Sequence, residues 1–289
     1  MDAETQFEAH RDRLRAVAYR MLGSHTEADD ALQESWLRVR RSGMDGVENV
    51  SGWLTTVVAR VCLNMLRARS ARREAPLDEV GLPDPMVTHA DPAEQALVTD
   101  SVGLAVLVVL ETLKPDERLA FVLHDMFGVP FAEIAELLGA SPEAARQMAS
   151  RARRRVRGGA PAPDASLARQ RQVVDAFLAA SRDGDFDALV AVLHPEVELR
   201  VDLGPGASRR VRGAREVAGQ SLLYSSRSRP DDTREPVVVN GVAGVLSRVD
   251  GEPAALLSCT VVDGRITGID ILADRERLAG LALPPARSG

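Results

Sequence analysis

The sequence is poor in aromatic residues, in cysteine and in long apolar runs. Phe, Trp and Tyr make up 3% of its 289 residues, so cores within a chain that is 45% hydrophobic must be mainly Ala, Leu and Val. Cys62 and Cys259 are the only cysteines, and we expect them in different domains, which excludes a disulfide framework. With no signal peptide and no run that could span a bilayer, we expect a cytoplasmic protein without membrane contact.

An overall positive charge is also lacking. The formal net charge is −6, the pI is about 5.5, and Lys114 is the single lysine among 36 basic residues. This balance argues against a globally basic nucleic-acid binder, so any such contact must come from local arginine patches. The length is sufficient for two or three domains.

Residues 131–157 contain such a patch within a helix-turn-helix pattern. An apolar stripe begins at Phe131, Gly139 can end the first helix in a left-handed conformation, and Ser141 can cap the second helix. The second helix places small residues inward and arginines outward. Six arginines lie from Arg146 to Arg157 with no acid among them, so they cannot form ion pairs within this stretch. We therefore predict that this face binds nucleic acid, in preference to the alternative of a merely solvated face.

The N-terminal part is predicted to be helical. Residues 4–41 show two amphipathic helices, and the second buries a stripe that includes Leu37 while an acidic ridge of Glu27, Asp30 and Glu34 faces outward. A glycine-containing loop over residues 42–49 precedes a long helix over residues 50–73. This helix carries a second patch of arginines without an intervening acid between Arg60 and Arg73.

Three segments together resemble an extracytoplasmic-function (ECF) sigma factor of bacterial RNA polymerase. They read DDALQESWLRV, GWLTTVVARVCLNMLRARSARRE and LETLKPDERLAFVLHDMFGVPFAEIAELLG, and the resemblance covers residues 4–157 in the family's order and spacing. It implies a first domain that docks on the polymerase clamp and opens the −10 promoter element. It also implies a second domain that reads the −35 element.

The resemblance assigns roles to the two patches and to the ridge. For the −35 element we expect base or phosphate contacts from Arg146, Gln147, Ser150, Arg151, Arg153 and Arg154. For the single strand of the −10 element the candidates are Arg60, Asn64, Arg67 and Arg69. Polymerase, through its β and β′ subunits, is expected to contact Asp30 and Glu34.

Two linkers separate these parts from a C-terminal domain. Residues 74–92 are rich in Pro and acid, and residues 81–85 resemble a Trp-Leu-Pro-Glu-Pro motif of sigma factors with a C-terminal extension, without its tryptophan. Residues 158–166 form the second linker. Beyond it, helices precede strands at 197–201, 236–240, 242–249, 254–262 and 265–272, an α+β order with an antiparallel sheet. This order resembles the SnoaL-like domains of the NTF2-like superfamily, which the SigJ or ECF41-like group of ECF sigma factors carries.

Some proteins of this superfamily are enzymes, and His194, Asp202, Asp263 and Asp270 are the candidate acid/base residues here. His194 is expected at a helix end and Asp263 in a turn, so we predict no catalytic site, no metal and no cofactor. An unknown small ligand in the C-terminal cone is a further candidate partner.

We therefore predict sigma region 2 at residues 4–74, a linker at 75–100, sigma region 4 at 101–158 and a SnoaL-like domain at 166–283. The expected fold is multidomain: two all-α sigma domains, a helical bundle and a helix-turn-helix, followed by an α+β NTF2-like cone. We expect the C-terminal domain to regulate transcription in cis through contacts among Leu82, Pro83, Asp84, Pro85, Asp202, Gly204, Gly206 and Leu278. The alternatives are a one-component transcription regulator with a ligand-sensing domain, and an enzyme tethered to a DNA-binding module.

Overall fold

A computed structural model describes residues 2–44, 46–72, 81–89, 103–160, 162–226 and 232–285. The chain divides into two compact units. Unit 1 comprises Met1–Pro76 and Val109–Gly159, and unit 2 comprises Leu77–Val108 and Ala160–Gly289. Residues 81–89, the described part of the predicted linker, therefore group with the C-terminal domain.

The helices up to residue 159 follow the sequence pattern closely. They are α1 (Ala3–Ala9), α2 (Arg11–Leu22), α3 (His25–Ser42), α4 (Val50–Arg72), α5 (Leu104–Glu111), α6 (Pro115–Phe121), α7 (Phe131–Leu138) and α8 (Pro142–Gly159). A π-helical turn, Val122–Met126, extends α6. Where two helices were expected over residues 4–41 there are three, because the chain breaks at His10, which ends α1 and precedes α2.

Within unit 1, the N-terminal helices pack against the helices of the helix-turn-helix part. Helix α4 contacts α6 and α7, and α2 contacts the π-helical turn. Arg118 lies at this junction with a side chain only 2% exposed, donating to the carbonyl oxygen of Arg20 and forming an ion pair with Glu111 at 2.7 Å. Burying a guanidinium is costly unless its donors are hydrogen-bonded, so the contacts with Arg20 and Glu111 hold Arg118 at this junction.

Unit 2 combines helices with a sheet, and the two kinds of element alternate along the chain. The helices are α9 (Leu167–Asp183), α10 (Phe186–Val192), α11 (Ala214–Ser225) and α12 (Arg275–Ala279). The strands are β1 (Val87–His89), β2 (Leu193–Asp202), β3 (Ser208–Arg212), β4 (Thr233–Val239), β5 (Val242–Val249), β6 (Glu252–Val262) and β7 (Arg265–Leu272).

The described strands form one sheet in the order β1-β4-β5-β6-β7-β2-β3. The sheet is antiparallel as expected except that β2 pairs in parallel with β7, which corrects the all-antiparallel prediction. The hairpin turns at Asp250 and Asp263 have positive φ and are each followed by glycine, as the sequence predicted. Strand β1, which comes from the predicted linker, and strand β3 were not predicted.

Helices α9, α10 and α11 cover one face of the sheet, and the main core of unit 2 lies between these helices and the sheet. Phe177 is its only buried aromatic residue, and aliphatic side chains such as Val174, Leu199 and Ile269 form the remainder. The prediction of an aliphatic core is therefore confirmed. Cys259 is buried in this core and Cys62 is buried in unit 1, and both are free thiols.

No helix in the described part of the chain is both long and apolar enough to cross a membrane. The described residues also contain no cluster of side chains suited to holding a metal ion.

Candidate functional sites

The helix-turn-helix is built by the local signals expected from the sequence. Helix α7 ends at Gly139, whose φ of 64° places it in the left-handed region. The hydroxyl oxygen of Ser141 accepts a hydrogen bond from the amide of Ala144 at 3.1 Å and thereby caps α8. Ala145, Ala149 and Ala152 turn inward and are buried. Helix α8 therefore presents its arginine-rich face away from the core of unit 1.

Acids from other elements pair with several of these arginines. Glu117 of α6, with a side chain 7% exposed, accepts from Arg151 at 2.8 Å and from Arg155 at 3.0 Å. Asp125 of the π-helical turn pairs with Arg153 at 2.7 Å. The stretch itself offers no acid, as the sequence shows, and these ion-pair partners come from distant positions in the sequence. The pairs hold three long side chains in defined positions.

The remaining predicted −35 residues lie on the outer face of α8. Arg146 is exposed and pairs with Glu143 one turn earlier at 2.8 Å, an arrangement that contributes little to stability in water. Gln147 and Arg154 are exposed, and Ser150 is half-buried. Arg154 and Gln147 make no hydrogen bond or ion pair with other residues that the structure describes, which leaves both available to a partner.

The predicted −10 residues occupy two different environments on α4. Arg60 and Asn64 are exposed and one turn apart, so they share a face of the helix. Arg67 is also exposed but forms an ion pair with Asp116 of α6 at 2.9 Å. Arg60 and Asn64 have no such partner within the described residues.

Arg69 lies in the junction between α4 and the neighbouring helices. Its half-buried guanidinium pairs with Glu27 and, at 3.6 Å, with Glu111, and it donates to the carbonyl oxygen of Leu22. Arg69 thus has a structural role in unit 1. The same contact removes Glu27 from the acidic ridge, where the sequence had placed it.

Asp30 and Glu34 both lie exposed on α3. Glu34 pairs with Arg38 one turn later, an exposed pair that a partner could displace at low cost. Leu37 was expected in the core but is 42% exposed, and Ser35 is buried instead. The exposed face of α3 therefore combines acidic side chains with one large apolar side chain.

The segment before β1 is bound to the C-terminal domain by a cluster that we call the linker clamp, formed by Leu82, Asp84, Asp202 and Arg277. The amide of Leu82 donates to Oδ2 of Asp202 at 2.6 Å. The guanidinium of Arg277 donates to the same Oδ2 at 2.6 Å, to the carbonyl oxygen of Leu82 at 2.5 Å and to Oδ1 of Asp84 at 2.7 Å. Asp202 is almost fully buried, so its charge depends on these donors.

The segment is also held by apolar burial and by strand pairing. Leu82, Pro83 and Pro85 are buried, and β1 extends the sheet by pairing with β4. The amide of Met86 donates to Oδ1 of Asn240 at 2.9 Å, and the amide of Asn240 donates to the carbonyl oxygen of Met86 at 2.8 Å. Backbone pairing of this kind adds a strand to an exposed sheet edge.

The loop after β2 is shaped around Asp202. Its Oδ1 accepts from the amide of Gly204 at 3.0 Å, and Gly204 has a φ of 111°, which favours glycine. Gly206 also has positive φ, and nothing lies near the position of an added Cβ. Gly204 and Gly206 therefore shape the loop that orients Asp202, and Leu278 is buried on α12, beside Arg277.

Arg277 and Asn240 were missed as site residues. Arg277 stands directly before Leu278, which was predicted to take part in the contact, so a basic residue beside it was the available signal. Asn240 reads in the sequence as part of a turn before Gly241, and its φ of 47° agrees with that role. Its hydrogen bond to a segment about 150 residues earlier had no local signal.

The candidate acid/base residues do not meet in one site. Asp270 pairs with Arg200 at 2.5 Å on the sheet face that also carries Asp202. Burial alone would lower the pKa of Arg200, but the charge and hydrogen bonds of Asp270 outweigh it and raise that pKa. Asp263 occupies a hairpin turn. His194 lies just after the end of α10, as expected, and is already the second residue of β2; its Nδ1 accepts a hydrogen bond from the amide of Glu196.

Comparison with known proteins agrees with this geometry. Residues 6–72 match the family described as Sigma-70 region 2, and residues 103–156 match Sigma-70, region 4. The chain is 38% identical to the ECF RNA polymerase sigma factor SigJ of Mycobacterium tuberculosis, over 98% of this chain and 96% of that protein. It is 35% identical to the probable ECF RNA polymerase sigma factor SigI of the same species, over 94% and 93% of the two chains.

The crystal structure of the M. tuberculosis SigJ superposes with a TM-score of 0.75 at 36% identity, covering 97% of this chain and 99% of that one. The chain therefore belongs to the ECF RNA polymerase sigma factors and carries a C-terminal α+β extension. The match of residues 6–72 to region 2 supports this assignment over a one-component regulator.

Proposed function

We propose that the C-terminal domain regulates this sigma factor in cis by binding the segment that connects regions 2 and 4. The linker clamp is the observation that carries the proposal. It places two buried or half-buried carboxylates, one guanidinium and backbone groups of the connecting segment in a single hydrogen-bonded network. The strength of such a network depends on all its members, so it can act as a releasable hold on the connecting segment.

Release of this hold matters because the two sigma regions pack together in unit 1. The −10 and −35 elements are separate stretches of promoter duplex, so binding both requires regions 2 and 4 to separate. Arg67, a candidate −10 residue, is paired with Asp116 of region 4 in the packed form. Regions 2 and 4 can separate only as far as the undocked part of the connecting segment allows. Docking of this segment therefore shifts the equilibrium between the packed and the separated form.

On the promoter, we propose that α8 reads the −35 element. In this proposal Gln147 and Arg146 contact base edges, Ser150 lies beside them, and Arg154 contacts phosphate; the exposure of Arg146, Gln147 and Arg154 supports it. Arg151 and Arg153, aligned by Glu117 and Asp125, supply further phosphate contacts.

For the −10 element, the exposed pair Arg60 and Asn64 is the part of α4 most available to a single strand. Arg67 joins it once the ion pair with Asp116 opens. Arg69 contributes to binding only through the packing of unit 1, because Glu27 and Glu111 hold its guanidinium.

Polymerase core is the proposed partner of the exposed face of α3. Asp30 and Glu34 supply negative charge, and Leu37 supplies apolar area, a combination typical of the centre and rim of protein interfaces. A protein with these partners works in the cytoplasm on core polymerase and promoter DNA.

The C-terminal domain acts by contact and not by catalysis in this proposal. Asp202 is bound within the linker clamp, and Asp270 is neutralised by Arg200. Each carboxylate is thus engaged by a guanidinium of its own domain, whereas an acid/base dyad must present its carboxylates to a substrate.

The test is run-off transcription with core polymerase, comparing the full chain with residues 1–160 on one promoter. We expect the two forms to differ in transcript yield, and equal yields would contradict regulation in cis. A double-mutant cycle then locates the effect. Asp202 binds the backbone amide of Leu82, and a change of the Leu82 side chain would leave that amide in place. The cycle therefore combines Asp202→Asn with Asp84→Asn. The two changes should be non-additive, since both acids bind Arg277.

A further inference from the structure

The helix-covered face of the sheet in unit 2 contains a cavity of about 410 Å³, which we call the inner cavity. Pockets for small molecules are typically about 300–1,000 Å³. Its wall is largely aliphatic, and the strand register explains why. Val245 of β5 lies opposite Leu257 of β6, which lies opposite Ile271 of β7, which is followed by Val201 of β2. These side chains share one face and form one row.

The same register places one arginine at the end of this row. Arg209 of β3 lies opposite Val201, so its side chain belongs to the inner-cavity face, and it lines the cavity. Arg210 is opposite Arg200 and belongs to the other face, where it approaches Glu198 at 3.6 Å. Arg209 forms no ion pair with any residue in the described part of the chain.

The charged residues in the described lining of the inner cavity are both basic. Arg209 and Arg234 are the charged residues that line it, and its described lining contains no Asp, Glu or His. Gln220 and Ser247 also line the inner cavity, and their side chains hydrogen-bond to no residue that the structure describes. The inner cavity therefore offers an apolar wall, two polar side chains and the guanidinium of Arg209, and its described lining lacks the acid or base that catalysis would need.

The mouth of the inner cavity is unusually apolar for a surface. Leu203, Leu223 and Tyr224 all line it, and they are 54%, 55% and 58% exposed, among the most exposed large apolar side chains of the described residues. Exposed apolar side chains clustered at one opening are typical of a site that binds an apolar molecule.

We propose that the inner cavity binds an apolar molecule with a single carboxylate, such as a medium-chain fatty acid. The alkyl part lies against the row from Val245 to Val201, and the carboxylate pairs with Arg209. A guanidinium and a carboxylate form paired, charge-assisted hydrogen bonds, which gives the preference for an anion.

The inner cavity and the linker clamp share strand β2, so binding in the cavity can affect the clamp. Val201 and Leu203 line the inner cavity, and Asp202 between them binds Leu82 on the opposite face. The amide of Ala273, another lining residue, donates to the carbonyl oxygen of Asp202 at 2.8 Å. A ligand that moves Leu203 therefore shifts the carboxylate of Asp202. This regulatory consequence rests on the proposed function, whereas the binding site does not.

The binding test uses the full-length protein and a fluorescent polyene fatty acid, displaced by decanoate, decanol or decyltrimethylammonium. We expect saturable binding, with decanoate effective at a concentration at least tenfold lower than decanol and with no displacement by the cation. Arg209→Gln should weaken decanoate binding about tenfold and remove its advantage over decanol. Arg210→Gln, the adjacent arginine on the opposite face, is the matched control and should leave binding unchanged.

A second variant, Val211→Trp, fills the inner cavity from β3 and should abolish binding, with the thermal unfolding midpoint measured alongside. Absence of saturable binding to the unaltered protein, equal displacement by all three competitors, or equal losses in Arg209→Gln and Arg210→Gln would overturn the proposal. The coupling is read separately from hydrogen exchange at the Leu82 amide. Saturating decanoate should change its rate at least threefold, and an unchanged rate would overturn the coupling while the binding site stands.

Discussion

Replacing Arg277 by glutamine tests the linker clamp most specifically. The variant removes the guanidinium that joins Asp202, Asp84 and the Leu82 carbonyl, and it leaves Asp202 with backbone donors only. Removing one partner of a buried ion pair costs about 3–5 kcal/mol. The Arg277 side chain is 27% exposed, against 3% for Asp202, so solvent screening favours the lower end, about 3 kcal/mol. This corresponds to roughly a hundredfold increase in opening of the connecting segment.

Native-state hydrogen exchange, read at the Leu82 amide, measures this opening directly, because that amide is bound to Asp202 only while the segment is docked. Arg275→Gln is the matched control, since Arg275 lies on the same short helix and is exposed. We expect Leu82 to exchange about a hundredfold faster in Arg277→Gln and at the normal rate in Arg275→Gln. Equal protection of the Leu82 amide in both variants would refute the reasoning.

Three further outcomes are expected. Gln147→Ala should weaken −35 binding by about 1–3 kcal/mol at specific bases, whereas Arg154→Gln should weaken all sequences alike and lower the salt slope by about 1. Glu34→Arg should reduce affinity for core polymerase without changing the unfolding midpoint, because the side chain is exposed. Burial raises the pKa of Cys62 to about 12 and also raises that of Cys259, so at pH 8 neither thiol should react with a maleimide until its unit opens.

Each of these outcomes has a direct check. Binding of cognate and scrambled DNA at several salt concentrations separates base reading from phosphate contact, and identical losses for the two α8 variants would contradict the assigned face. Unchanged core affinity in Glu34→Arg would remove the acidic face of α3 from the interface. Mass spectrometry of the labelled protein distinguishes the two cysteines. Rapid labelling of either thiol in the native protein would contradict its burial.

Local signals in the sequence predicted local structure well. The turn at Gly139, the cap at Ser141 and the hairpins at Asp250 and Asp263 depend on neighbouring residues, and the structure contains each of them. Strands β5 and β7 have the predicted bounds because a hairpin turn at Asp250 follows β5 and a hairpin turn at Asp263 precedes β7.

Features that depend on distant residues were not predictable in the same way. Strand β3 reads SRRVR and has almost no apolar alternation, so only its pairing with β2 makes it a strand. The acids that pair with the α8 arginines lie on other elements. Arg277 reaches the connecting segment from nearly two hundred residues away, and no periodicity encodes such a contact.

The central claim is that docking of the connecting segment sets the activity of this sigma factor. Run-off transcription with core polymerase, using the full-length protein, Arg277→Gln and Arg275→Gln on one promoter, tests it most directly. Arg277→Gln is predicted to change the transcript yield several-fold relative to the unaltered protein, with Arg275→Gln matching the unaltered protein. Equal yields from all three proteins, with Leu82 exchange shown to be faster in Arg277→Gln, would contradict the claim.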